Sequence, residues 1–371
     1  MCYNLVKWSD SMKAIIVAGG TGGHIYPALA IMHKIEEMEK NSEFLYIGTD
    51  DRMEKDLIPK MGIRFVGLPM KGLNRKRLLS NYAVFKMFQD AIKKSRELIK
   101  DFKPDIVIGA GGYITAPVLY AAHKEKIPVL IHEQNSIPGL SNKFISKFAD
   151  SICVSLPNSM KLFPKSKVVY TGNPRSEEIL KVEKKKKNLL GFDQDKKLVV
   201  VVMGSLGSTT MTKKIKELIP GFNNKNYQVL IITGKKYYDD YKDLDISSNI
   251  KIVPFMDDLI NYMKDSDLIV SRAGASTIAE ITAIGLPAIL VPSPYVTNNH
   301  QYKNAKELEN AGACKIVTEK EFSKESIIRE IDYIFDHKEE YDNMVKNSKK
   351  LGIKDSSSRI YQEIKKIMKN N

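Results

Sequence analysis

The segment GGTGGH, residues 19–24, lies between an apolar run and a predicted helix whose start we place near Pro27. Glycines let backbone N–H groups approach an anion, and a helix N-terminus adds partial positive charge, so a phosphate or diphosphate is the expected ligand. A plain strand-to-helix turn would also use glycine, but four glycines within five positions favour a ligand. The expected contacts are Gly19, Gly20, Gly22 and Gly23.

His24 ends this glycine-rich turn. A neutral imidazole at that position could take a proton from a substrate hydroxyl beside the bound phosphate. A single histidine is usually structural, but its place on a bare turn, and not on an apolar face, favours a functional role. We therefore predict that His24 is a general base.

Two further bare loops follow predicted strands: GAGGY, residues 109–113, and GSLGS, residues 204–208. The first two glycine loops would hold one diphosphate, and the third loop, with the hydroxyls of Ser205 and Ser208, would hold another. The sequence therefore suggests two diphosphate-bearing substrates. The contacts expected from the second loop are Gly111, Gly112 and Tyr113.

The segment SRAGASTIAEITAIGLPAIL joins a strand that is predicted to end at Arg272 to a helix that carries Glu280 in its first turns. A carboxylate there could bind two vicinal hydroxyls, such as those of a ribose, in an apolar surround. A capping or surface glutamate is the alternative. The binding residues expected from this segment are Arg272, Gly274, Ala275, Ser276, Thr277 and Glu280.

The segment NNHQYKNA, residues 298–305, concentrates amides and a histidine just before a predicted helix. His300 and Gln301 could bind sugar hydroxyls, although an ordinary capped turn would have a similar composition.

Short β-branched runs alternate with segments of helical period, first from Lys13 to about Pro174 and again from LVVVVMG onward. The pattern predicts an α/β protein of two tandem Rossmann-like doubly wound domains that face a cleft, with ligands beyond the carboxyl ends of the strands. The lysine run Lys184–Lys187 is predicted to be a solvated helix face. The expected divisions are an appendage at 1–12, domains at 13–172 and 197–345, a connector at 173–196, and a C-terminal helix at 346–371 that packs back on the first domain.

The composition limits the classes of molecule that the protein is expected to bind. The chain has 371 residues, 43% of them hydrophobic, and a formal charge of +14, which suits anionic membranes, phosphorylated substrates or nucleic acid. A nucleic-acid role is disfavoured because no recognition-helix or aromatic strand motif occurs. No apolar run reaches the roughly 18 residues of a spanning helix, and no cleavable leader pattern opens the sequence.

The cysteine spacing argues against disulfides and against a metal site built on thiolates. Cys2, Cys153 and Cys314 are far apart and lack paired spacing, which is typical of a reducing cytoplasm. Asp-x-Asp triplets occur at 193–195, 243–245 and 265–267, but no His/Cys cluster is present, and no metal site is expected.

These motifs, together with IHEQNSIPGLSNK and TGNPR, occur in the same order as in the MurG family, which they resemble over essentially the whole chain after Lys13. The resemblance implies a GT-B fold and inverting transfer of N-acetylglucosamine, without metal or cofactor, from UDP-GlcNAc to the C4 hydroxyl of MurNAc. The acceptor is undecaprenyl-diphosphate-MurNAc-pentapeptide (lipid I) on the N-terminal domain, the donor binds the C-terminal domain, and the product is lipid II for peptidoglycan synthesis.

The resemblance also assigns roles to residues. The first two glycine loops hold the acceptor diphosphate, and His24 is the base for the C4 hydroxyl. Arg175 and Ser205 contact the UDP phosphates, and Gln301 contacts the GlcNAc hydroxyls. The full set expected around the donor is Thr21, Gly22, Gly23, Asn135, Arg175, Ser205, Phe255, Met256, Arg272, Gly274, Ala275, Ser276, Thr277, Glu280, His300 and Gln301. Among these, Thr21 and Asn135 line the cleft, and the backbone at Phe255 and Met256 meets uracil.

Three positions depart from the commonest pattern of that family. This chain has GSLGS where GSQGA is usual and His300-Gln301 where two glutamines are usual. Its GNPR segment lacks a residue often found before the arginine.

Residues 70–88, MKGLNRKRLLSNYAVFKMF, are predicted to meet the inner face of the bacterial plasma membrane as a peripheral contact, because the lipid tail of the acceptor stays in the bilayer. Packing of an amphipathic helix on the sheet is the alternative. The patch residues are Leu73, Arg75, Lys76, Arg77, Leu78, Leu79, Phe85 and Phe88.

Two other functions remain open from the residues. Another GT-B enzyme that uses a UDP-sugar, such as a glycolipid transferase or an epimerase, would share the donor site. A nucleotide- or NAD-binding regulatory protein would use the same glycine turns but leave UDP-GlcNAc intact.

Overall fold

The computed structural model describes residues 11–72, 81–203 and 209–369. The chain divides into two compact units. The first contains the residues up to Arg175 together with the segment from Asp355 onward, and the second contains Ser176–Lys354.

The first unit is built on one sheet of seven parallel strands with helices between them. Its strands are β1 (Lys13–Val17), β2 (Glu43–Thr49), β3 (Phe65–Leu68), β4 (Ile106–Gly109), β5 (Val129–Glu133), β6 (Ser151–Val154) and β7 (Val168–Tyr170). Its helices are α1 (Gly22–Met38), α2 (Glu54–Lys60), α3 (Asn81–Phe102), α4 (Thr115–Lys124) and α5 (Leu140–Ile145), and α6 (Arg175–Lys181) begins at its boundary.

The first sheet has the strand order β3-β2-β1-β4-β5-β6-β7, so the order reverses between β1 and β4. Both faces of the sheet are covered: Ile15 and Val17 enter one apolar cluster and Ala14 and Ile16 the other. Parallel strands buried on both faces read as continuous apolar runs, as KAIIV does. Ligands of open α/β sheets bind where the order reverses, so the loops after β1 and β4 are the expected position.

The second unit contains a six-stranded parallel sheet in the order β10-β9-β8-β11-β12-β13. Its strands are β8 (Leu198–Val202), β9 (Gln228–Ile232), β10 (Ile250–Val253), β11 (Leu268–Ser271), β12 (Ala288–Leu290) and β13 (Cys314–Ile316). Its helices are α7 (Thr209–Leu218), α8 (Leu259–Met263), α9 (Ala275–Ile284), α10 (His300–Asn310), α11 (Lys324–Asp336) and α12 (Lys338–Leu351). Here the order reverses between β8 and β11, and the loop after β8, residues 204–208, lies outside the described residues.

The last helix, α13 (Ser356–Lys369), belongs to the first unit, whereas α12 belongs to the second. Ile360 and Ile364 join the apolar cluster beneath α1. The hydroxyl of Tyr361 and the ammonium of Lys365 donate to Glu39 at 2.5 and 2.6 Å. Burial alone would raise the pKa of Glu39, but these two hydrogen bonds outweigh it and lower that pKa.

The predicted strands are confirmed, the structure adds β3, which was not predicted, and three local predictions are wrong. Helix α1 begins at Gly22 and not near Pro27, because Gly22 and Gly23 themselves adopt helical geometry. The segment from His300 onward lies in α10 and not before it.

The lysine run is not a helix face. Lys184 pairs with Asp265 at 2.6 Å. Lys187 is buried and donates from its ammonium to the carbonyl of Lys196 at 2.5 Å. A carboxylate and a carbonyl of neighbouring segments therefore bind Lys184 and Lys187, which composition alone would place in solvent.

Among the helices of the described ranges, none is long and apolar enough to cross a membrane. Cys153 and Cys314 are buried free thiols. Within the same ranges, no three His, Cys, Asp or Glu side chains are grouped so that they could hold a metal ion.

Candidate active site

The first two glycine loops lie against each other through their backbones. The amide of Gly19 donates to the carbonyl of Gly111 at 3.2 Å. A Cβ atom on Gly112 would lie 2.5 Å from the carbonyl oxygen of Gly19, and Gly112 has a φ of 95°. Only glycine allows both the close approach and this backbone conformation. The loops after β1 and β4 therefore form one structure, as their positions in the sequence predict.

Two amides of the first loop are already occupied within the protein. Gly19 donates to Gly111, and Gly20 donates to the carboxylate of Glu54 at 3.1 Å. The amides of Gly19 and Gly20 thus have protein acceptors in this structure, and contact of these two residues with a phosphate stays a prediction. These two glycines shape the loop.

The open amides are at the N-terminus of α1. Thr21 is the N-cap residue but makes no capping hydrogen bond with its side chain. In the described part of the chain, the amides of Gly22 and Gly23 have no protein acceptor. A Cβ on Gly23 would meet only Thr21 Oγ1, at 3.6 Å, so the fold itself does not require glycine there. A bare helix N-terminus with glycine in open space is suited to close approach by an anion.

His24 lies in the first turn of α1 and is half-buried. Its Nδ1 is 3.0 Å from the carbonyl oxygen of Gly19. Because a carbonyl can only accept, Nδ1 carries the proton and Nε2 carries the lone pair. The imidazole also packs on Gly111, where a Cβ would lie 2.5 Å from Cδ2 of His24. This tautomer is the one that a general base acting through Nε2 requires.

The HEQN segment after β5 is organised by Glu133, a buried residue that the sequence argument did not single out. Its carboxylate accepts from the amide nitrogen of Asn135 at 2.9 Å and from the side chain of Asn142 at 2.9 Å. It also accepts from the amide of Gly139 at 3.1 Å. Asn135 is therefore held in place beside the end of β5.

His132, also in this segment, is fully buried and links three strands. Gln134 donates to the carbonyl of Ala110 at 2.8 Å and lies 3.0 Å from Nδ1 of His132. Nε2 of His132 donates to the carbonyl of Gly172 at 3.2 Å. Burial lowers the pKa of His132 to about 4, despite the bond to Gly172, so the ring is neutral near pH 7. His132 is therefore linked to Ala110 of the second glycine loop through Gln134.

Arg175 opens α6, and its amide donates to Asn173 Oδ1 at 3.1 Å. Its guanidinium carbon lies 5.6 Å from the ring centroid of Tyr26, two residues after His24. The structure thus places Arg175 beside the first turns of α1. Its contact with the UDP phosphates stays a prediction.

In the second unit, α9 starts at the reversal point beside β11. Gly274 is its N-cap residue, in an ordinary extended conformation, and a Cβ there would meet only Thr277 Oγ1 at 3.8 Å. Ser276 Oγ is buried and has no hydrogen-bond partner among the described residues. Glu280 follows in the second turn and is half-buried. A bare helix start with an unpartnered hydroxyl is suited to a phosphate or a sugar hydroxyl.

The side chain of Arg272 does not point to an open ligand position. Its guanidinium is buried and donates to the carbonyl of Val291 at 3.0 Å and to Glu319 at 2.8 Å. The pair joins the end of β11 to the segments after β12 and β13. Arg272 is therefore engaged within the fold, and a donor contact at this position would fall to its backbone.

The start of α10 has two successive asparagines in the left-handed region. Asn298 and Asn299 have φ values of 56° and 52°, a conformation that asparagine tolerates better than most residues. His300 Nδ1 donates to the carbonyl of Thr297 at 2.8 Å. Gln301 Oε1 accepts from the amide of Ser293 at 2.8 Å, so its NH₂ group is the end suited to a ligand.

Phe255 and Met256 follow β10. The ring of Phe255 is partly exposed and lies 4.9 Å below the ammonium of Lys235, whereas Met256 packs partly on the core. Their contact with uracil stays a prediction.

The remaining predicted residues divide between exposed, packed and undescribed positions. Phe85 on α3 is 59% exposed. Phe88 packs on the core and on the ring of Phe144 at 6.1 Å, so it does not share that exposure. Outside the described residues lie Leu73, Arg75, Lys76, Arg77, Leu78, Leu79, Ser205 and Ser208.

Two all-parallel doubly wound units, each with a bare helix start at its reversal point, define a two-domain enzyme of the GT-B class. The chain belongs to glycosyltransferase family 28: the N-terminal domain of that family matches residues 14–154 and its C-terminal domain matches residues 198–360.

Sequence and structure relatives agree with this assignment. A Bacillus cereus protein is 42% identical over 96% of this chain and all of its own length; it is named UDP-N-acetylglucosamine--N-acetylmuramyl-(pentapeptide) pyrophosphoryl-undecaprenol N-acetylglucosamine transferase 1. The crystal structure of MurG from Acinetobacter baumannii is 26% identical, covers 96% of this chain and 99% of its own, and has a TM-score of 0.77. UDP-GlcNAc 2-epimerase from Neisseria meningitidis, bound to UDP-GlcNAc, is 18% identical with a TM-score of 0.68 over 96% and 100% of the two chains, which shows a shared fold alone.

Proposed function

We propose that this chain transfers N-acetylglucosamine from UDP-GlcNAc to the C4 hydroxyl of MurNAc in undecaprenyl-diphosphate-MurNAc-pentapeptide, with inversion to a β linkage. The geometric observation that carries the proposal is His24, whose Nδ1 is bound to the carbonyl of Gly19 and whose Nε2 is the basic nitrogen. The name and 42% identity of the Bacillus cereus relative support the choice of substrates.

The acceptor diphosphate is held by the N-terminus of α1 and by the second glycine loop. Gly22 and Gly23 offer amides without a protein acceptor among the described residues. Gly111 and Gly112, both with positive φ, keep the neighbouring backbone bare. Two anionic phosphates at a helix N-terminus gain from its partial positive charge.

In the reaction, Nε2 of His24 takes the proton of the C4 hydroxyl as the oxygen attacks the anomeric carbon of the donor. The bond between that carbon and the UDP oxygen breaks, and UDP leaves with the electron pair. Attack from the face opposite the leaving group inverts the configuration. On the donor side, the N-terminus of α9 with Ser276 and Thr277 stabilises phosphate charge, and Glu280 binds the ribose hydroxyls.

The acceptor face meets the membrane. Gly72 has no room for a side chain because Tyr113, at the end of the second glycine loop, occupies that space. Gly72, the residue that precedes the basic and apolar segment 73–80 in the sequence, therefore lies beside the second glycine loop. Among the described residues, the exposed rings of Tyr113 and Phe85 and the exposed side chain of Lys86 add further aromatic and basic groups suited to a membrane surface.

Labelled UDP-GlcNAc and a lipid I analogue test the reaction directly. The expected product carries the label in a β-linked disaccharide, with release of UDP, and forms equally well in excess EDTA. Conversion of UDP-GlcNAc to its C2 epimer, or binding of UDP-GlcNAc with no transfer, would overturn the proposal.

A further inference from the structure

One peptide group connects His24 to a buried carboxylate. The peptide that joins Gly19 to Gly20 presents its carbonyl oxygen to His24 Nδ1 at 3.0 Å. The N–H of the same peptide, on Gly20, donates to both oxygens of Glu54, at 3.2 and 3.1 Å. Because a peptide group is planar and its C=O and N–H point in opposite directions, the two hydrogen bonds are coupled through it.

Glu54 is built for this contact. It is the first residue of α2 and has no exposed surface. Besides Gly20, its carboxylate accepts from the amide of Thr49 at 3.0 Å and from the hydroxyl of Thr49 at 2.7 Å. A Cβ on Gly19 would collide with Glu54 Oε1, so the loop packs directly against the carboxylate and leaves no room for a side chain at Gly19. Gly20 has a φ of 94°, the conformation that turns its N–H toward Glu54.

We propose that Glu54 is the positioning residue of the His24 base, acting through the Gly19–Gly20 peptide. The inference rests on the proposed function of His24 and deepens it. A carboxylate hydrogen-bonded to the amide end polarises the peptide and makes its carbonyl a stronger acceptor. The stronger acceptor holds the Nδ1–H tautomer and stabilises the imidazolium that forms when Nε2 takes a proton.

Glu54 lies behind the loop, with buried Tyr46 as the titratable neighbour that senses its charge. On the other side, the Arg175 guanidinium lies over Tyr26, and Gly111 covers the ring without a charge.

Glu54→Gln is the main test, since it keeps an acceptor oxygen for Gly20 and removes the charge. We expect the Nδ1–H tautomer of His24, followed by NMR in the free protein, to lose population, because a neutral amide polarises the Gly19–Gly20 peptide less than a carboxylate does. The acidic limb of the rate profile should move to lower pH, and kcat should fall about 10- to 100-fold. Binding of UDP-GlcNAc, measured by calorimetry, should be unchanged.

Glu39→Gln is the matched control, because Glu39 is another buried carboxylate of the same unit, hydrogen-bonded to Tyr361 and Lys365. It should lower the melting temperature but leave the His24 tautomer and the pH profile in place. Glu54→Asp keeps the charge and shortens the side chain, and it serves where the glutamine variant does not fold. We expect a smaller change in the His24 tautomer and a smaller fall in kcat.

An unchanged His24 tautomer in a folded Glu54 variant overturns the inference. So does a loss of kcat that leaves the tautomer of His24 and the pH profile where they were, which is the behaviour of a merely structural residue. The tautomer measurement needs no substrate, so failure of the transfer reaction alone would overturn the proposed function and leave this coupling standing.

Discussion

His24 and Gly111 are in direct contact across two loops: the imidazole occupies the space where a side chain of Gly111 would stand. The second glycine loop is therefore the wall that sets the orientation of the ring. The backbone of Gly111 has a φ of 107°, which adds strain to any substitution there.

Gly111→Ala should therefore displace the imidazole. A methyl group would lie 2.5 Å from Cδ2 of His24 in a backbone conformation that disfavours alanine. We expect kcat to fall at least about tenfold, with a stability loss of about 1 to 3 kcal/mol. Gly139→Ala is the control, because Gly139 has a φ of −62° and open space around its Cβ. Equal activity of both variants would remove Gly111 from the site.

His24→Ala removes the base. We expect kcat to fall by about 10² to 10⁴ while UDP-GlcNAc binds nearly as well as before. Steady-state kinetics and calorimetry measure the two effects separately. His337→Gln, on the exposed end of α11, is the control and should match the parent protein. An unaltered kcat in His24→Ala would exclude the base role.

Glu280→Ala should weaken UDP-GlcNAc. The variant loses a pair of charge-assisted hydrogen bonds. Each contributes at most about 1.5 to 3 kcal/mol to the binding free energy, because hydrogen bonds to water partly replace it. Glu280→Gln should weaken binding less than Glu280→Ala does. Glu325→Ala, at an exposed position of α11, should leave binding unchanged. The decisive comparison uses the 2′-deoxyribose donor. If the parent protein binds it as tightly as the normal donor, Glu280 does not bind the ribose.

Acid should destabilise the first unit through His132. Burial lowers the pKa of the folded imidazole to about 4, whereas an unfolded histidine titrates near about 6.5. The contribution of His132 to the free energy of unfolding is thus complete above the pKa of the unfolded state. It is lost as pH falls toward the pKa of the folded state, by up to about 3 kcal/mol. NMR should show His132 neutral, with its proton on Nε2, at pH 5. A midpoint near 6.5 in the folded protein would contradict this.

Phe85→Ser should weaken membrane binding. Loss of one exposed aromatic ring from the proposed contact should reduce partition to anionic vesicles by roughly tenfold, with little change in activity on a soluble acceptor. Leu189→Ser is the control, because Leu189 is 69% exposed in the second unit. Sedimentation with vesicles at rising salt measures both. Identical behaviour of the two variants would place the membrane contact elsewhere.

The loops and helices that carry chemistry were predictable because their signals are local. Four glycines after an apolar run specify a bare strand-to-helix connection, and β-branched runs between helical segments specify parallel strands. The positions of Gly111 and Gly274 at strand ends follow from the same local pattern. Helix starts were less predictable: α1 includes Gly22 and Gly23, although glycine has a low helix propensity.

The sequence by itself determined the family and the two doubly wound units and predicted His24 as the base, because these depend on residue types in fixed order along short segments. The tertiary structure decided which groups complete the site. Gly20 and Glu54 are 34 positions apart, and Glu39 and Tyr361 are 322 positions apart, so their hydrogen bonds exist only once the sheet and helices have packed. Local pattern states what a segment can form, but the partner of a buried polar group is chosen by the elements that the fold brings beside it.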